Sequence, residues 1–162
     1  MPKILVLFAG QPTALVHAVA DGARGVRFSE VELRRVGAAD SGATPDHHQT
    51  LASADEMVPY DGIVIAVSGA GTVHPDMGRM FEQAAASTAR SVWQNKVGAA
   101  FGAAPGTERS VVWPVLAILG NLGMLVVAPS GSDADAAKEL GARVAQAVGW
   151  VTHARSHHHH AH

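Results

Sequence analysis

The sequence predicts an α/β fold, a five-stranded parallel sheet of strand order 2-1-3-4-5 with helices on both faces. Three observations predict it. Short apolar runs alternate with amphipathic helical stretches along the chain. A length of 162 residues suits one domain with one core. Each crossover between parallel strands must be right-handed and bury an apolar face, which distributes helices over both sides of the sheet.

KILVLF at 3–8 is a short, fully apolar strand, and Leu15, Val16, Val19, Ala20 and Ala23 follow at the spacing of one helix face. VELRRV at 31–36 alternates apolar with polar, as expected of a strand near a sheet edge. The polar stretch 37–61 reads as a mobile loop with one short helix around Gln49 to Asp55. GIVIAV at 62–67 is the third strand; SGAGTVHPD then opens a helix near Pro75 that turns Met77, Met80, Phe81 and Ala84 inward. KVGAAF at 96–101 is the fourth strand, followed by GAAPGTERS and a helix from about Ser110 to Asn121, with Pro114 tolerated near its start. Leu122 to Ala128 supplies the fifth strand, and Asp133 or Ser132 caps a last helix carrying Ala136, Leu140, Val144 and Val148. Residues 1–152 therefore form the domain and 153–162 a His-rich tail.

The formal net charge is −2 with lysines and arginines scattered, so no stripe for nucleic acid or anionic lipid is present. No apolar run reaches the roughly 18 residues that cross a membrane, and the chain opens directly on a strand; a soluble cytoplasmic protein is expected. The partner is then a small molecule or another copy of the chain. The absence of cysteine excludes disulfides, thiolate metal sites and cysteine nucleophiles, so redox chemistry needs a borrowed cofactor. The internal histidines lack metal-site spacing, and the terminal SHHHHAH reads as a tag remnant or disordered tail, so no metal is expected.

In a sheet of this order, ligands sit beyond the C-terminal strand ends where strand 1 neighbours strand 3. The loops after strands 1, 3 and 4 should converge there. For Gly10, Gln11, Pro12 and Thr13 two readings stand: a tight turn with proline opening a helix, or backbone contact to an anion at the helix N-terminus. SGAGTVH is either a floor for a planar ligand or a loop kept small by a neighbouring backbone. His74 reads as a solvent-facing helix-start histidine or a contact to a ligand or neighbouring subunit, Glu108 as a solvated loop carboxylate or a base, and Asp133 and Asp135 as helix-capping carboxylates. No serine lies in a G-x-S-x-G elbow, and no side chain is assigned as catalytic.

KILVLF, AVADGAR, VELRRV, YDGIVIAV, MGRMFEQ, VWQNKVGAAF and LGMLVVAPS, in this order from Lys3 to about Val148, resemble the flavodoxin-like NAD(P)H:quinone oxidoreductase family, of the tryptophan-repressor-binding protein type. The resemblance implies a flavodoxin-like three-layer sandwich that binds FMN at three loops, passes electrons from NAD(P)H to quinones, and assembles as a homo-oligomer, dimer or tetramer. It implies Gly10, Gln11 and Thr13 near the phosphate, and Ser68, Gly69, Ala70, Gly71 and Thr72 with Ala104, Pro105, Gly106 and Thr107 around the ring. Trp93 is implied at the ring edge, reached across a subunit contact, with simple packing as the other reading. The loops are degenerate against the family pattern. GQPTA is about three residues shorter than the S-x-x-G-H phosphate loop; VSGAGTV keeps Gly71 but has Gly69 and Ala70 where P-T-R-F-G-N-M has arginine and phenylalanine; GAAPGTERS keeps Gly106 and Thr107. A second expectation is a flavin-free member that persists as a binding or assembly protein, with WPVLAILGNLGM available for an oligomer contact.

Overall fold

The apolar runs form strands of one parallel sheet in the computed structural model, which describes residues 1–38, 47–68, 73–87, 90–105, 107 and 109–158. The strands are β1 (Lys3–Ala9), β2 (Glu30–Val36), β3 (Thr50–Leu51), β4 (Gly62–Val67), β5 (Val97–Gly102) and β6 (Leu125–Val127), in spatial order β3-β2-β1-β4-β5-β6. The helices are α1 (Ala14–Arg24), α2 (Pro75–Ser87), α3 (Arg109–Asn121) and α4 (Ala134–His158), with 3-10 turns at Ala54–Met57 and Arg90–Val92.

The sheet has six strands, which corrects the expected five. The addition is the two-residue β3, whose Thr50 and Leu51 pair with Arg35 and Val36 at the outer edge of β2. Two residues in a polar stretch carry no period from which a strand could be read. The short helix expected around Gln49–Asp55 is this strand followed by the 3-10 turn at Ala54–Met57. Without β3 the order is the expected 2-1-3-4-5. The last strand is also shorter than expected, because Leu122 to Met124 close the C-terminus of α3: the Leu122 and Met124 amides donate to the Ile118 and Leu119 carbonyls, with Gly123 at φ +100°.

Alternation along the strands sorts side chains onto two cores. Ile4, Val6, Phe8, Val64, Ala66, Ala99 and Phe101 pack against α1 and α4, while Leu5, Leu7, Ile63, Ile65, Val67 and Ala100 pack against α2 and α3. The apolar faces expected on α1 and α4 are buried as read. These two helices cross at backbone distance. A Cβ on Gly22 would stand 1.9 Å from the Lys138 carbonyl oxygen, and one on Gly141 1.9 Å from the Val19 carbonyl oxygen. Asp133 is the cap of α4, its Oδ1 accepting the Ala136 amide at 2.8 Å. The helix continues to His158, and Arg155 donates to the Asn95 carbonyl.

The sheet end opposite the ligand loops buries a cation and a phenol. Lys96, 7% exposed, donates through Nζ to the Val58 and Tyr60 carbonyls at 2.7 and 2.6 Å, and burial pulls its pKa down. Tyr60, the sole tyrosine, donates to Glu32; burial, then the Glu32 carboxylate, pushes its pKa up to about 12 from 10.0. The folded state thus favours the protonated phenol. Its contribution is complete below pH 10 and is lost as pH rises toward 12. Ultraviolet titration of the folded protein should show no tyrosinate until near pH 12, and urea-unfolded protein should titrate near 10. A native midpoint at 10 would mean that the phenol is solvated.

Candidate functional site at the C-terminal edge of the sheet

The chain passes from β1 to α1 in four residues, Gly10 to Thr13. So short a connection is possible because Gly10 adopts φ +69°, a left-handed conformation that glycine adopts at little cost, and because Pro12 presets φ just ahead of the helix. Thr13 is the N-cap: its hydroxyl accepts the Val16 amide at 3.4 Å and donates to the Ala103 carbonyl at 2.5 Å. The Ala103 amide in turn donates to the Val67 carbonyl at 2.8 Å. One chain of hydrogen bonds therefore ties the ends of β1, β4 and β5 together. From beneath, Arg35 donates through Nε to the Gly10 carbonyl at 2.7 Å; it is 6% exposed and lies 5.5 Å from the Phe8 ring centroid.

Beyond β5, the Thr107 hydroxyl donates to the Ala104 carbonyl at 2.7 Å, and Thr107 packs so closely on Gly102 that a Cβ there would stand 2.3 Å from its Cβ. Gly102 and Thr107 line a cavity of about 150 Å³ with Arg109, Val112, Pro129, Gly131 and Ser132. A recess of about 10 Å³ adjoins it between Leu15, Phe101, Gly131 and Asp133, and another of about 10 Å³ lies between Ser68, Val73, His74 and Met77. A separate open cavity of about 220 Å³ lies toward β3, between Val36, Gly37, Thr50, Asp76, Arg79 and Gln83.

Among the residues singled out from sequence, the structure brings Thr13 onto the loop after β5 and keeps Gly10 and Gln11 in the turn beside it. Ser68 follows β4, and Ala104, Pro105 and Thr107 follow β5 at the same edge. Gly69, Ala70, Gly71, Thr72, Gly106 and Glu108 lie outside the described residues. Trp93 is not brought to this edge. It is fully buried before β5, about 20 Å of strand from the loops, and its Nε1 donates to the Ala84 carbonyl at 3.2 Å. His74 is half-buried, its Nδ1 accepting the Asp76 amide at 3.3 Å. The sequence reading missed Arg35 and the segment Pro129–Ser132. PSGSD was read only as a helix cap, although it follows a parallel strand and so lies at the ligand edge by the same rule that singled out the other loops. Among the described residues no three His, Asp or Glu side chains gather as a metal site requires, and no helix is long and apolar enough to cross a membrane.

The fold and this convergent loop site define a flavodoxin-fold protein. A WrbA-like flavodoxin from Agrobacterium tumefaciens superposes with a TM-score of 0.66 over 93% of this chain and 99% of its own, at 17% identity. A flavone reductase superposes with a TM-score of 0.67 over 93% of this chain and 64% of its own, at 14% identity. In sequence, the chain is 29% identical to an NAD(P)H dehydrogenase (quinone) from Cupriavidus metallidurans over 141 residues, 78% of this chain and 70% of that protein. No family model matches the sequence. Sequence and fold together make the chain similar to the flavodoxin-like NAD(P)H:quinone oxidoreductases.

The resemblance implies FMN, whose phosphate needs a cradle of outward N–H and hydroxyl donors in the first loop. The described residues supply little beyond the first backbone amides of α1. Pro12 has no N–H, the Val16 amide is already accepted by Thr13, and the Thr13 hydroxyl proton is committed to Ala103. The phosphate end of FMN therefore fits this turn poorly.

Proposed function

We propose that the protein is an oxidoreductase of the NAD(P)H:quinone type that receives a planar redox ring at the C-terminal edge of its sheet and binds FMN weakly. The observation that carries this reading is the relative at 29% identity, matched over 78% of the chain, in a family whose ligand loops correspond to those joined here through Thr13, Ala103 and Val67. Ser68 to Thr72 and Ala104 to Thr107 would flank the ring, with Gly10, Gln11 and Thr13 at its far end. The role of the chain is to orient the ring and exclude water, because the cofactor carries the electrons and the chain has no cysteine. NADH or NADPH would be the donor and a quinone the acceptor. A cytoplasmic homo-oligomer, dimer or tetramer, completes the reading.

A flavin-free binding or assembly protein is the second reading, and the Thr13–Ala103 closure is the observation that favours it. One experiment separates the two. With excess flavin, NADH or NADPH and menadione, the purified protein should catalyse loss of absorbance at 340 nm above the rate of flavin alone, and its melting temperature should rise. A rate equal to free flavin with an unmoved melting temperature would sink the oxidoreductase reading.

A further inference from the structure

We infer that the site selects a ring ligand that carries no phosphate, so that among flavins it takes riboflavin at least as tightly as FMN. The inference rests on the oxidoreductase reading above and deepens it. Four observations carry it. The first turn is held closed by its own hydrogen bonds: the Thr13 hydroxyl bridges Val16 and Ala103, residues 90 positions apart in the case of Ala103, and a phosphate entering between the loops would have to break that bridge. A buried cation holds the turn from below. Arg35 donates to the Gly10 carbonyl from a buried position against the Phe8 ring, so its Nε anchors the closed turn.

A recess of about 10 Å³, room for about one water, lies between Leu15 in the first turn of α1 and the start of α4. The fourth observation is the charge that lines it. Asp133 borders this recess together with Leu15, and its Oδ1 is fixed on the Ala136 amide as the cap of α4. A phosphate monoester carries about −1.5 to −2 charge at neutral pH, so a fixed carboxylate at this point opposes it. The turn is thus closed by a threonine, and an anion stands near the start of α1. An uncharged ring substituent meets neither obstacle.

The test is a fluorescence titration of the full chain with riboflavin and with FMN at about 20 mM and about 500 mM salt, where screening differs strongly. Riboflavin should bind at least as tightly as FMN, with FMN weakest at low salt. In Asp133→Asn, which keeps a good cap and removes the charge, FMN affinity should rise about two- to threefold at low salt while riboflavin stays unchanged. FMN tighter than riboflavin by more than about threefold in the wild-type chain (a gap of about 0.7 kcal/mol) would overturn the inference and leave the oxidoreductase reading standing. Binding of neither flavin, together with no melting shift on menadione, would overturn that reading and the inference with it.

Discussion

Gly141→Ala is expected to destabilise the protein by about 3 kcal/mol, the upper end of ordinary overpacking costs. The new methyl would lie 1.9 Å from the Val19 carbonyl oxygen and 2.9 Å from the Ala23 amide nitrogen, both backbone atoms that no rotamer change can move aside. Helices α1 and α4 must separate, and the Gly22 contact with Lys138 opens with them. Better helix propensity returns only about 1 kcal/mol. For a chain of this size the melting temperature should fall by roughly 6 to 12 °C. Gly149→Ala, in the same helix with nothing within 4 Å, isolates propensity and should be neutral or raise it. Equal tolerance of the two substitutions would mean that the helices do not cross at backbone distance. The consequence reaches the ligand edge, because α1 begins at the Thr13 cap and its displacement strains the bond to Ala103.

The strands and helices were legible because their periods are strong: GIVIAV is buried at every position of β4, and Leu15, Val16, Val19, Ala20 and Ala23 are the buried stripe of α1. The edge strand β3 was not, because Thr50 and Leu51 are strand only through their pairing with β2. The site was legible as a place and not as a chemistry. GQP announced a short turn, and topology brought its loop to the loop after β5. That Thr13 would spend its hydroxyl on Ala103 depends on a contact spanning 90 residues, which no local pattern encodes. Arg35 sits in the same blind spot: as an alternating polar residue of VELRRV it suggests a wet face, yet it is 6% exposed, with Nε on Gly10. The packing of Gly22 on α4 is likewise visible only once two distant helices are docked.

Trp93→Ala should cost about 3–5 kcal/mol, the range for emptying a buried aromatic site. The side chain is fully buried, belongs to the core under α2 and α3, and holds the Ala84 carbonyl through its Nε1. Truncation therefore leaves both a cavity and an acceptor without its donor. The melting temperature should drop by roughly 6 to 20 °C, whereas Trp150→Ala, removing a side chain from a residue that is 72% exposed, should change stability by at most about 0.5 kcal/mol. The family resemblance assigns Trp93 instead to the edge of a bound ring, and Trp93→Phe separates the two roles. Phenylalanine fills most of the core site and donates no hydrogen bond, so stability should fall by about 1–2 kcal/mol. Flavin affinity, measured well below the melting transition, should stay within about twofold, a difference of about 0.4 kcal/mol. Loss of flavin affinity with an unmoved melting temperature would place the indole at the ligand, and in a homo-oligomer that ligand would be the one held by a neighbouring copy, since the loops of its own chain lie at the far end of β5.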